Sequence, residues 1–250
     1  MTLLADNLSF SYTEDYIIHN IVFSIEKGDC LAVLGTNGAG KSTILKCLNR
    51  ILEPRLGTVY INGRDSSLLK RSELAKKIGY VPQSHYCTRN TVFDTVLLGR
   101  KPYIKRDIRQ NDIEVVEEIL DLLGLDNYSM RYTDELSGGE LQKVIIARAL
   151  TQEPKVLLMD EPTSNLDLKN QIEVLNIIRK ILKKKKISAV ITMHDLNLAL
   201  RFADKFLLLK EGKCFDFGDA SIINPESIKK VYGVEVMIES YSGIPVVIPL

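Results

Sequence analysis

The chain has 250 residues, 45% of them hydrophobic and 26% charged, and its 33 basic and 32 acidic side chains leave a formal charge of +1. That composition suits a soluble globular protein of one large domain, or of one domain with an inserted lobe. The balanced charge gives no bulk argument for binding nucleic acid or an acidic partner.

The N-terminal stretch MTLLADNLSFSY has no basic segment followed by a long apolar run, so no signal peptide is expected. No segment reaches the ~18 uninterrupted apolar residues of a membrane span. LLADNLSF and YIIHNIVFSIE alternate in polarity and predict antiparallel strands. CLAVLG (30–35) is a short apolar run ending in glycine and reads as a buried strand. KSTILKCLNRIL (41–52) has helical spacing and stops before Pro54. TVYING reads as a strand closed by an Asn-Gly turn, and IGYVPQ (78–83) as a strand ending at Pro82.

From Thr91 to about Leu150 the apolar spacing is near 3.6, so this block reads as an inserted helical lobe. Alternation then resumes. KVLLMD (155–160), ISAVITM (187–193) and KFLLLKEGK (205–213) read as strands, and 168–186 and 195–203 as helices. Strand–helix–strand units predict a parallel sheet with right-handed crossovers. NPESIKKVYG and VEVMIESYSGIPVVIPL predict a short helix and a closing hairpin. Cys30, Cys47, Cys87 and Cys214 lack C-x-x-C spacing and predict small buried thiols in a reduced, intracellular chain, with neither a disulfide framework nor a zinc site.

The chemistry-bearing residues stand at the junctions of these elements. GTNGAGKS (35–42) fits G-x-x-x-x-G-K-[ST] between a buried strand and a helix. Such a loop, here with Gly35, Asn37, Gly38 and Gly40, curls backbone N–H groups around phosphate oxygens. The helix N-terminus adds about half a positive charge there. Lys41 is placed to reach the β- and γ-phosphates, Ser42 to ligate Mg²⁺, and Thr43 to support the phosphates. VLLMDEPT (156–163) delivers two acids at a strand end. Asp160 is placed to hold Mg²⁺ through water, and Glu161 to polarise an attacking water. Gln83 either touches the metal or the water, or is a surface glutamine. His194 ends the strand ITMH, where a neutral imidazole can donate to a γ-phosphate and orient Glu161 and its water. Tyr12 either stacks on a base or is a core or edge tyrosine. The run KKKK (183–186) complements a helix dipole in water, with lipid or nucleic-acid binding as the alternative. In LSGGE (136–140), Ser137 and Glu140 form a capping box. Gly138 and Gly139 each cost the helix about 1 kcal/mol relative to alanine, which the box does not explain.

The loop at 35–42, Gln83, LSGGE, LLMDEP (157–162), SNLD (164–167) and His194 occur in one order. Over essentially the whole chain this resembles the ATP-binding subunits of ATP-binding-cassette (ABC) transporters. TVFDTVLLGRKPYI, TSNLDLKNQIEVL and MHDLNLALRFADKFLLLKEGK look like the importers of iron–siderophore, haem and cobalamin chelates. Molybdate and tungstate importers share this look. The resemblance implies an α/β fold, a P-loop NTPase core of the ABC type. It has a mostly parallel sheet, an N-terminal antiparallel β subdomain and an inserted α-helical subdomain. Residues 1–85 and 155–250 would form the nucleotide-binding core and 86–154 the helical subdomain of one domain. It implies binding and hydrolysis of ATP with Mg²⁺, held by Ser42, Gln83 and Asp160, and Tyr12 stacked on adenine. Two copies would sandwich two ATP molecules head to tail, each site completed by Ser137, Gly138 and Gly139 of the other copy. On this reading the glycines let the backbone approach the partner's γ-phosphate.

The helical subdomain and the segment near Gln83, including 84–104, would dock a transmembrane permease, with a substrate-binding protein as indirect partner and no nucleic acid. The subunit would sit peripherally on the cytoplasmic face of the membrane. The family commonly has alanine or histidine where this chain has Asn165; the catalytic positions match, which implies an active ATPase. The competing readings are a soluble ABC ATPase outside transport and a regulatory ABC protein without turnover. Intact Glu161 and His194 speak against the second. A single cassette without long coiled-coil insertions speaks against translation-type and DNA-repair members of the first.

Overall fold

The computed structural model describes residues 1–83, 89–164 and 166–250. β1 (Leu3–Phe10) and β2 (Ile18–Ile25) pair antiparallel, and their apolar period of two changes phase midway. Leu3 and Ala5 face the core, and then Leu8 and Phe10 do. The register shifts between Ala5 and Leu8, where Asn7 takes a φ of 52°. This is a β-bulge, and asparagine tolerates the left-handed backbone it needs. β3 (Cys30–Gly35) is buried at every position, as a strand covered on both faces should be. α1 (Lys41–Leu48) follows it. β4 (Leu56–Ile61) and β5 (Arg64–Asp65) meet at Asn62 and Gly63, with φ of 50° and 73°, the paired positive values of a two-residue primed turn.

α2 (Arg71–Ala75) and β6 (Ile78–Val81) lead into the helices α3 (Val92–Leu97), α4 (Gln110–Leu123) and α5 (Gly138–Leu150). β7 (Val156–Asp160), α6 (Leu168–Lys185), β8 (Ser188–Thr192), α7 (Leu196–Phe202) and β9 (Lys205–Lys210) then alternate. β10 (Lys213–Gly218), α8 (Pro225–Tyr232), β11 (Val236–Tyr241) and β12 (Ile244–Pro249) close the chain.

Two compact units result: 1–68 with 188–250, and 69–187. In the first, β1 lies between β2 and β4 in an antiparallel sheet. β3 pairs in parallel with both β8 and β9, and β10 runs antiparallel to β9. The β11–β12 hairpin is tied to α7 by Asn197, whose side chain donates to the Val247 carbonyl (3.2 Å) and accepts from its N–H (2.7 Å).

In the second unit β6 and β7 are parallel, Tyr80 level with Leu158. α5 packs against α3, α4 and α6. The helical block is pinned by Arg100, which is 2% exposed. It donates to Asp112 (2.9 Å), Glu153 (2.7 Å) and the Thr151 carbonyl (2.8 Å) and lies 3.9 Å from the Tyr103 ring centroid. Such a buried cation is tolerable only with partners of this kind.

The structure departs from the sequence reading in four places, one of them the strand expected over 205–213, which ends at Lys210 before a turn at Glu211 and Gly212. α1 ends at Leu48, before the expected Leu52. There Arg50 turns to a φ of 52°, and the N–H groups of Ile51 and Leu52 both fold back to the Lys46 carbonyl. The edge strand β10 was not anticipated, because KCFDFG is largely exposed and carries no buried period of two. α2 is a single short helix that periodicity does not register. Cys30 and Cys47 are buried thiols and Cys214 is half-buried, while Cys87 lies outside the described residues. KKKK ends α6 exposed, with Lys185 paired to Glu118 at 2.8 Å, which fits a solvated, dipole-complementing helix end. Among the described residues no helix is long and apolar enough to cross a membrane.

Candidate functional site

The phosphate loop starts where β3 ends. Thr36, Asn37 and Gly38 are exposed, and the chain re-enters the core at Ala39. Gly35, Gly38 and Gly40 all have positive φ. At Gly40, the N-cap of α1 with a φ of 96°, an added Cβ would lie 2.6 Å from Ile18 Cγ2 and 3.2 Å from the Ile17 oxygen. Only glycine fits. As a consequence no side chain caps the first turn of α1, and the helix end keeps its character as an anion seat. Lys41 is 5% exposed, and its Nζ donates to the carbonyls of Gly35 (2.9 Å) and Thr36 (3.1 Å). The loop thus compensates a buried ammonium with its own backbone. Ser42 and Thr43 are half-buried in the next two positions.

Tyr12 and His194 belong to the same unit. Tyr12 is 61% exposed and meets Phe10 only edge-on, at 4.9 Å between centroids. It is therefore no core residue, and its ring can accept a stacked base. His194 is exposed just after β8 and directly before Asp195, which caps α7 by accepting from Leu198 N–H at 2.9 Å.

The second unit carries the acids. Asp160 ends β7 and is 3% exposed. The Tyr80 hydroxyl hydrogen-bonds to it, and burial together with the Asp160 charge pushes that phenol up to about 12. Tyr80 therefore stays a neutral donor to a carboxylate. Glu161 leaves the strand with a φ of 48°, rare for a side-chain-bearing residue. Gln83 Nε2 donates to Glu161 Oε2 at 2.6 Å, so the structure brings these two together although 78 residues separate them.

Ser137, Gly138 and Gly139 open α5. The Ser137 N–H and hydroxyl both donate to Glu140 Oε2, at 2.8 and 2.7 Å, while Glu140 N–H reaches Ser137 Oγ only at 3.4 Å. Hydrogen bonds from Ser137, and then from Tyr128, hold the Glu140 carboxyl below its usual range. The glycines differ from each other. Among the described residues, a Cβ at 138 would meet only Leu166 Cδ2, at 3.8 Å. One at 139 would lie 3.1 Å from the Asn170 carboxamide of α6. Asn170 is itself fixed, donating through N–H and Nδ2 to the N-cap Asp167 at 2.8 and 3.0 Å. Packing among the described residues thus accounts for Gly139 but not for Gly138.

Sequence reasoning missed Tyr80, Tyr128 and Asn170. The only signal for Tyr80 was that IGYVPQ and KVLLMD both read as strands; their parallel register is what brings it to Asp160. Residues 84–88, which open the segment expected to dock a permease, and Asn165 lie outside the described residues. Taken unit by unit, the described side chains suit the parts of a magnesium nucleotide, the first unit offering a phosphate seat and the second carboxylates for a hydrated cation. Left-handed glycines lead into an uncapped helix, a buried lysine stands on the loop, and a buried carboxylate ends a strand beside an accessible one.

Comparison with known proteins follows the same line. The ABC transporter family model matches residues 18–164. The uncharacterized ABC transporter ATP-binding protein MJ0089 of Methanocaldococcus jannaschii is 55% identical over 250 residues, covering 100% of this chain and 98% of that one. The phosphonates import ATP-binding protein PhnC of Nitratidesulfovibrio vulgaris is 35% identical, covering 94% of this chain and 92% of that one. The iron(3+)-hydroxamate import ATP-binding protein FhuC of Bacillus subtilis is 34% identical, with 95% and 90% covered. Among solved structures, one assigned to the metal-chelate type of ABC transporter, in an inward-facing conformation, superposes with a TM-score of 0.87. It is 33% identical and covers 100% of this chain and 97% of that one. With its phosphate loop, paired strand-end acids, LSGGE helix start and α/β cassette fold, the chain belongs to the ABC transporter family as an ATP-binding subunit, an ATPase.

Proposed function

We propose that the chain hydrolyses ATP to energise an importer of iron(III)–siderophore or a related metal chelate, such as haem or cobalamin. The observation that carries this reading is the whole-chain likeness to the metal-chelate type of transporter, at a TM-score of 0.87. Tyr12 stacks on the adenine, and the loop from Gly35 to Thr43 cradles the phosphates, with Lys41 as their point charge. Ser42, Gln83 and Asp160 hold Mg²⁺, partly through water; when bound, the ion neutralises charge developing on the phosphates. Glu161 accepts a proton from the attacking water, and His194 orients that pair.

Two copies close on ATP, Ser137, Gly138 and Gly139 of each facing the nucleotide of the other. ATP thereby supplies the differential affinity that a two-state switch requires. A permease docked on the helical subdomain transmits closure at the cytoplasmic face of the membrane, and a substrate-binding protein delivers cargo to it. Phosphonate import is the second reading, favoured by the 35% identity to PhnC.

The test is reconstitution of the chain in liposomes with the permease that co-purifies with it and the matching binding protein. ATP-dependent uptake of labelled ferric hydroxamate that fails with Glu161→Gln supports the chelate reading. Uptake of a phosphonate in its place overturns it.

A further inference from the structure

Glu161 is held by its backbone as well as by Gln83. The four residues Glu161–Pro162–Thr163–Ser164 form a turn closed by Ser164 N–H donating to the Glu161 carbonyl at 3.0 Å. Proline at the second position suits such a turn, since its φ is pre-set. The first position does not suit its residue. Glu161 has a φ of 48°, and a left-handed side-chain-bearing residue is strained unless its surroundings fix it. Any residue but proline at 164 would supply the N–H. Only serine or threonine would supply what the structure also shows, a hydroxyl donating to the same Glu161 carbonyl at 2.9 Å.

The two donors fix the peptide plane that leaves Glu161. With φ fixed as well, the direction of its Cα–Cβ bond is set. At the far end the carboxylate is caught by Gln83 Nε2 at 2.6 Å. Ser164 itself is half-buried, so water competes poorly for its hydroxyl.

We infer that Ser164 is a positioning residue for ATP hydrolysis: its hydroxyl locks the strained backbone of Glu161 and so aims the carboxylate at the attacking water. This rests on the proposed role of Glu161. It makes no direct contact with nucleotide necessary, so the loss should fall on turnover and spare binding.

The experiment is steady-state ATPase and ATP-driven dimerisation of the full chain with Ser164→Ala, Ser164→Thr, Glu161→Gln and the Glu161→Gln/Ser164→Ala double variant. Ser164→Ala should lower kcat roughly five- to tenfold, the rate equivalent of one hydrogen bond. Its KM for ATP should stay within about twofold, and Ser164→Thr should restore the rate. In the Glu161→Gln background, Ser164→Ala should leave the ATP concentration for dimerisation unchanged, because the residue acts only through the carboxylate. Unchanged kcat in Ser164→Ala, a loss confined to KM, or weaker dimerisation of the double variant overturns the inference. Glu161→Gln alone separates the two claims. If it hydrolyses normally, the role of Glu161 falls; if it is inactive while Ser164→Ala is normal, only Ser164 falls.

Discussion

Gly138 and Gly139 are adjacent, yet different constraints act on them. Gly139 faces the Asn170 carboxamide at 3.1 Å from a would-be Cβ, whereas Gly138 has no neighbour nearer than 3.8 Å among the described residues. Gly139→Ala should therefore lower the melting temperature through displaced Asn170, and Gly138→Ala should not. Gly138→Ala should nonetheless reduce ATP-driven dimerisation, if its bare backbone serves the partner's phosphate. Thermal melting and light scattering of both variants check this. Lys41→Ala should weaken nucleotide binding measured by calorimetry. The Cys47 thiol, pushed up to about 12 by burial and by Glu53, should stay silent toward a disulfide reagent until the protein unfolds. At this scale the sequence is most informative where contacts are local. The phosphate loop lies within nine residues and the capping box within four, so spacing alone reveals both. Gln83 with Glu161, 78 residues apart, and Tyr80 with Asp160 need the parallel pairing of β6 and β7. No local pattern encodes that register.

Among the elements, the helical block depends on one buried ion cluster. Arg100→Met would leave Asp112 buried without its guanidinium and should cost about 3 kcal/mol, read by chemical denaturation. Burial pushes the Asp112 carboxyl up, but Arg100 and the Arg109 N–H outweigh it and hold the group below its ordinary value of 3.8. A depressed folded-state value contributes stability that is complete above 3.8 and lost as pH falls through the folded value. Melting temperature should thus drop on acidification below about pH 4, and Asp112→Asn, already destabilised, should show a shallower drop. The strands and helices with strong periods were legible: β3 as an apolar run, α6 from Val174, Leu175, Ile178, Ile181 and Leu182, and the hairpin turns at Asn62–Gly63 and Ser242–Gly243. The end of α1 was not, because NRIL keeps helical composition while Arg50, just past the C-cap Asn49, turns the chain away with a left-handed backbone. Nor was Arg100, whose partners Asp112 and Glu153 lie 12 and 53 residues away.

For the whole molecule, the proposed function makes ATP the ligand that joins two copies. On the proposed reading, one copy would bind nucleotide and be met by Ser137, Gly138 and Gly139 of the other. The subunit should then be monomeric without ATP, dimeric with it, and monomeric again after hydrolysis. Glu161→Gln should interrupt that cycle at its second stage. The most direct measurement is light scattering of Glu161→Gln, with Mg²⁺, before and after ATP is added, alongside its phosphate release. The account predicts a monomer that becomes a persistent dimer on ATP and releases almost no phosphate. A dimer that forms without nucleotide, or phosphate release at the wild-type rate, would contradict it.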